Sequence, residues 1–138
     1  MTAFKIFDIA GSAMSAQSLR LNLVASNLAN AGSVSSSIDQ TYRSRQPVFA
    51  AELQNAVDQQ SAAAGVRVAG VVESGAPTQM EYAPDHPMAN DEGYIFKSNV
   101  NTVEEMANMM SASRSYQTNM EVANTAKQLF IQTLKMGQ

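Results

Sequence analysis

From Ala3 to Ala31 no proline interrupts the chain, and apolar residues recur every seven positions at Phe7, Met14, Leu21 and Leu28. A second row follows Ala3, Ala10, Gln17, Val24 and Ala31. Ile6, Ile9, Ala13, Ala16 and Leu23 widen the apolar side to nearly half of the circumference, while Asp8, Ser12, Ser15, Asn22 and Ser26 lie opposite. The spacing predicts one long helix. A two-helix seam needs only the first two rows, so this face is wide enough to meet more than one neighbour.

A second pattern of the same kind closes the chain. Met106, Met109, Ser113, Tyr116, Met120, Ala123, Lys127, Phe130 and Leu134 alternate spacings of three and four, which is a coiled-coil period. Thr102 with Glu105 three residues on fits a capping box, so the helix is expected to begin near Val103 and to run almost to Gly137. At about 1.5 Å per residue each terminal helix is roughly 40 to 50 Å long, beyond the average globular helix. Five methionines crowd this segment: Met106, Met109, Met110, Met120 and Met136. Their flexible thioethers suit either an irregular core or a helix that repacks between a free and an assembled state.

The middle changes character. Gly32 to Ser37 is small and polar, and a second soft stretch, DQQSAAAG, runs from Asp58 to Gly65. Between them YRSRQPVFAAEL places Tyr42, Val48 and Phe49 around Pro47, the signature of a short or edge strand. VRVAGVVE, residues 66 to 73, alternates as a better strand, and QMEYA and GYIFK are further candidates separated by the turn-rich PDHPMANDEG. The predicted fold is therefore mainly α with a small β-rich middle: a helix in 1–32, short strands and extended loops in 33–101, and a helix in 102–138.

Asn27 and Asn30 interrupt the apolar end of the first helix in LVASNLANAGS. Asn27 lies on the edge of the apolar arc. Buried there, its amide requires a partner and favours one packing register; exposed, it requires nothing. Asn30 falls in the last turn before Gly32, a residue suited to the left-handed conformation that closes a helix.

Composition narrows the function. In 138 residues, enough for one domain, hydrophobic residues make up 45% but charged residues only 15%. Ala, Ser, Asn and Gln replace the missing charge, leaving neutral faces that another protein can cover. A net charge of -3 and a pI near 5.0 argue against nucleic acid, since Arg43 and Arg45 form the only basic cluster. The absence of cysteine removes disulfides and thiolate metal sites. MTAFKIFDIAGSAM imitates a signal peptide, but Asp8 interrupts an apolar run already shorter than the roughly 7 to 15 residues such a core needs. No run approaches the about 18 apolar residues of a membrane span, so neither leader cleavage nor direct membrane insertion is expected.

Candidate chemistry is sparse. His86 is the only histidine and sits between Asp85 and Pro87 in a turn, with only scattered acids such as Asp91 and Glu92 for company. A metal site needs more ligands than that, so a turn histidine is expected and no metal or cofactor. Serines lack a G-x-S-x-G elbow or S-x-x-K motif, and neither a Walker loop nor a dinucleotide fingerprint is present. Glu104 and Glu105 occupy a first helical turn, where the helix dipole explains acids. An enzyme is not expected.

SNLANAGS closely resembles the signature that ends the N-terminal helix of bacterial flagellar rod and hook proteins, and IFDIAGSAMSAQSLRLNLVASNLAN resembles that helix in the short proximal-rod type. TYRSRQPVF, GVRVAGVVES, YAPDHPMAND and GYIFKSNVN are similar to that type's middle motifs, as EMANMMSASRSYQTNMEVANTAKQLFIQTLKMGQ is to its C-terminal helix. Ser98 stands where proline is common in the family, which implies a less rigid lead into the last helix. The resemblance implies a structural subunit of the flagellar basal-body rod in the periplasm, which transmits motor torque. It implies export through the flagellar type III apparatus without leader cleavage, and assembly with other rod proteins and with itself. The terminal helices are expected to pair as one coiled-coil unit. Asn27, Asn30, Arg114, Tyr116 and Asn119 occupy signature positions and are expected to serve packing and register. Phe7, Met14, Leu21, Val24, Leu28, Met106, Met109, Met120, Phe130 and Leu134 complete the expected interface. Another rod or hook subunit, or a secreted coiled-coil adaptor, is the alternative reading.

Overall fold

The computed structural model describes residues 2–52 and 65–137, and two long helices make up about half of these. Helix α1 spans Thr2–Ala29 and helix α2 spans Thr102–Met136. They pack against each other in opposite directions: Asn27 near the end of α1 meets Glu105 at the start of α2, and Arg20, further back, donates to Asn108 Oδ1 at 3.0 Å. At about 1.5 Å per residue α1 is about 42 Å long and α2 about 52 Å. Because they are aligned at the Asn27 end, α2 runs about 10 Å past the start of α1. Leu129, Ile131, Leu134 and Met136 in those last turns are exposed.

Among the described residues five strands lie between the helices: β1 (Val34–Ser35), β2 (Arg45–Glu52), β3 (Gly65–Glu73), β4 (Gln79–Tyr82) and β5 (Tyr94–Lys97). β2 and β3 form an antiparallel ribbon running from Arg45 opposite Glu73 to Glu52 opposite Gly65, with a bulge between Val48 and Phe49. Pro47 fits here because β2 pairs on one side only. The other sheet is antiparallel in the order β1-β5-β4. Glu81 and Lys97 form an ion pair on it, and Tyr82 meets Tyr94 edge to face at 5.2 Å.

The ribbon lies along α1 and is fixed to it near both ends. Arg45 bonds to Asn27, and Val66 N donates to Ser12 Oγ at 3.2 Å, while Ser12 Oγ donates to Ile9 O at 2.9 Å. Fifteen helical residues rise about 22 Å and seven strand residues about 23 Å, so the two anchor points match in spacing. Gly65 permits the approach: a Cβ there would stand 3.1 Å from Ser12 Oγ.

Several expectations are corrected by the structure. The capping box does not form. Asn101 caps α2, its Oδ1 accepting from Val103 N at 3.1 Å and Glu104 N at 3.4 Å, which leaves the Glu105 side chain free to turn inward. Gly32 is not left-handed; α1 closes instead through Asn30, whose Nδ2 donates to Ser26 O at 2.9 Å, and Ser33, whose Oγ donates to Asn30 O at 2.8 Å. The left-handed glycine is Gly93, with φ 81°. Within the small polar stretch after α1, Val34 and Ser35 form a strand because β5 supplies a partner, which local composition does not reveal. Most of DQQSAAAG lies outside the described residues.

Candidate functional site

The end of α1, the start of β2 and the first turn of α2 converge on a buried polar junction. Asn27 is its centre and is fully buried. Asn27 Nδ2 donates to Arg45 O at 2.9 Å, Glu105 Oε2 at 3.2 Å and Ser44 Oγ at 3.3 Å. Its Oδ1 accepts from Tyr42 OH and from Arg45 N, both at 2.9 Å. A buried amide left unpaired costs about 1–3 kcal/mol, so this position is tolerable only because three segments bring partners to it.

Glu105, 3% exposed, also accepts from Ser44 Oγ at 3.5 Å. Its backbone N–H donates to Asn101 O at 2.9 Å. Tyr42 OH lies 3.2 Å from Ser26 Oγ, and the Arg45 guanidinium sits over the Tyr42 ring at 5.6 Å while pairing with Glu73. Asn99 ties the ribbon to the segment before α2: Oδ1 accepts from Ser44 N at 2.7 Å, and Nδ2 donates to Ala76 O at 2.8 Å. Ser98 is buried, donates to Ala31 O at 3.1 Å and accepts from Val100 N at 3.4 Å. A side-chain bond to the end of α1 therefore anchors the lead into α2 where a proline ring would have stiffened it.

The expected interface residues divide sharply. Val24 and Asn27 are buried; Phe7, Met14, Leu21, Leu28, Asn30, Met109 and Asn119 are half-buried. Met106, Arg114, Tyr116, Met120, Phe130 and Leu134 are exposed. Along α2 the most covered heptad row is Glu105, Ala112, Asn119 and Ala126, with Ala112 completely buried. Periodicity places one row of the seam a residue later, on Met106, Ser113, Met120, Lys127 and Leu134, and the other on Met109, Tyr116, Ala123 and Phe130; of these Met109, Ser113 and Ala123 are half-buried. Small side chains allow close helix approach at the covered row, and the larger apolar ones are left outside.

Glu105, Ser44, Tyr42, Asn99 and Ser98 are the junction residues that sequence reasoning missed. Only Glu105 left a trace, seven residues before Ala112 and fourteen before Asn119. Beside the junction an open cleft of about 370 Å³ is bordered by Arg20, Val24, Pro47, Phe49 and Glu104. His86 belongs to its turn, where Nδ1 accepts from Met88 N at 3.1 Å. Among the described residues no group of three or more potential metal ligands is gathered, and no helix is long and apolar enough to cross a membrane.

The arrangement holds two helices and a ribbon in a defined relation. A family model described as flagella basal body rod protein matches residues 7–32, and one described as flagellar basal body rod FlgEFG protein C-terminal matches residues 91–136. The flagellar basal-body rod protein FlgC of Salmonella typhimurium is 52% identical over 138 residues, covering all of both chains. The protein of that name from Escherichia coli O157:H7 is likewise 52% identical over the full length of both, and that of Borreliella burgdorferi is 31% identical, covering all of this chain and 99% of the relative. With family signatures at both helices and relatives aligned over the whole chain, the chain belongs to the flagellar basal-body rod protein FlgC family.

Proposed function

We propose that this chain is a structural subunit of the proximal part of the flagellar rod, polymerising with other rod proteins and with itself to transmit motor torque. The observation that carries the proposal is the exposed apolar row on α2, with Met106, Met120 and Leu134 turned away from the chain's own core. Full burial of each large apolar side chain is worth about 1.5–3 kcal/mol, so contacts along this row with neighbouring subunits supply a large driving force for assembly. A head-to-tail interface in a tube repeats helically without closing on itself.

In this reading the helices in 1–32 and 102–138 join those of neighbours in an inner coiled-coil layer, and 33–101 forms the outer part. Phe7, Met14, Leu21, Leu28, Met106, Met109, Arg114, Tyr116, Met120, Phe130 and Leu134 contribute to contacts between subunits. Asn27, with Asn30 and Asn119, holds the register within the chain. The subunit reaches the periplasmic rod through the flagellar type III apparatus. The family is structural, and the chain works by resisting shear rather than by catalysis.

Peptide mass analysis of detergent-extracted hook and basal bodies, compared between the source strain and one lacking the gene, tests this directly. The chain is expected in wild-type particles, with the rod interrupted in the mutant. Its absence from particles that assemble normally would reject the proposal.

A further inference from the structure

Two heptad rows on α2 compete for the face of α1. The covered row is Glu105, Ala112, Asn119 and Ala126; the row one residue later holds Met106, Ser113, Met120 and Lys127, of which Ser113 is half-buried and the others are exposed. Successive residues stand about 100° apart around a helix, so a rotation of that size would exchange one row for the other. At two positions apolar burial favours the exchange, because Met106 and Met120 would remove more apolar surface from water than Glu105 and Asn119 do. A polar contact in the covered row must offset that gain.

The Asn27–Glu105 contact does so. Both residues are buried, and the amide reaches the carboxylate at 3.2 Å only because the 105 position faces α1. Ser44 Oγ lies within 3.5 Å of the same carboxylate, so the ribbon reads the phase as well. Rotation of α2 would withdraw Glu105 from both partners and leave their donors facing an apolar side chain. A single buried polar contact fixing helix register at some cost in stability is a well-attested use of such groups.

We propose that Asn27 and Glu105 form a phase lock, which keeps Met106 and Met120 outward and prevents the chain from burying them against its own α1. That the outward row serves neighbouring subunits rests on the rod reading; the lock itself does not.

The cysteine-free sequence makes thiol reactivity a clean probe. In the full-length chain, Met120→Cys is expected to react rapidly with a maleimide and Ala112→Cys slowly. Combining either with Asn27→Leu and Glu105→Leu should reverse the order, each rate changing by about tenfold or more as protection moves from one row to the other. Glu105→Gln retains an acceptor for the Asn27 amide and should preserve the native order. An unchanged order in a variant with native helicity overturns the proposal. Should the double variant unfold, Glu105→Ala carries the same decision: without a fall in the Met120→Cys to Ala112→Cys rate ratio, the lock is rejected. Reversed reactivity with normal rods would retain the lock and remove the rod-facing role of the outward row; normal rods without reversal would do the opposite.

Discussion

The carboxamide of Asn27 pairs at two points with the backbone of Arg45, donating from Nδ2 to Arg45 O and accepting on Oδ1 from Arg45 N, each at 2.9 Å. A side chain of α1 thereby takes the place of a strand neighbour for the first residue of β2. The same amide contacts Glu105, so one residue sets the relation of helix, ribbon and second helix.

Asn27→Leu should lower stability by about 3 kcal/mol, since it leaves the Arg45 N–H and the Tyr42 hydroxyl without their acceptor and the Glu105 carboxylate without its amide donor. Urea denaturation followed by circular dichroism measures this. Subunit incorporation into basal bodies should fall in parallel. A variant as stable and motile as the parent would show that register is set elsewhere.

The two residues at the start of α2 should respond unequally. Asn101→Ala removes the side chain that accepts from Val103 N and Glu104 N, at a cost of about 1 kcal/mol. Thr102→Ala should change stability much less, because the exposed Thr102 is not the cap. Equal losses in thermal denaturation would contradict the assignment of the cap.

Glycine substitutions should separate the two turns. Gly93 has φ 81°, and an added Cβ would lie 2.9 Å from Tyr82 Cε2 and 3.2 Å from Pro84 Cβ, so Gly93→Ala should destabilise by about 1–3 kcal/mol. Gly32 is not left-handed and meets nothing within 4 Å; Gly32→Ala should be neutral or stabilise by about 0.4–1 kcal/mol. Paired unfolding curves check both, and loss at Gly32 would point to a constraint outside the isolated subunit.

The far end of the ribbon depends on Ser12. Ser12→Ala removes the acceptor of the part-buried Val66 N–H and should cost about 1 kcal/mol. Amide exchange is expected to quicken first at Val66 and its neighbours in β3, while the Asn27 end keeps its protection. Uniform acceleration through β2 and β3 would mean that the ribbon detaches as one unit.

By itself the sequence determined both long helices, since their apolar repeats, their proline-free length and the confinement of all four prolines to the middle act locally. It also marked β2, β3, β4 and β5 through alternation and turn residues, and it carried the family signature. Tertiary structure decided what those local signals leave degenerate. Asn27 reads equally well as exposed or buried until Arg45, Tyr42 and Glu105 arrive from distant segments, and Val34–Ser35 becomes a strand only beside β5. The face of α2 was decided in the same way. Periodicity locates the large apolar side chains, but close packing of small residues and the satisfaction of a buried carboxylate select the row turned inward, because an unpaired polar group in a core costs as much as a large side chain gains.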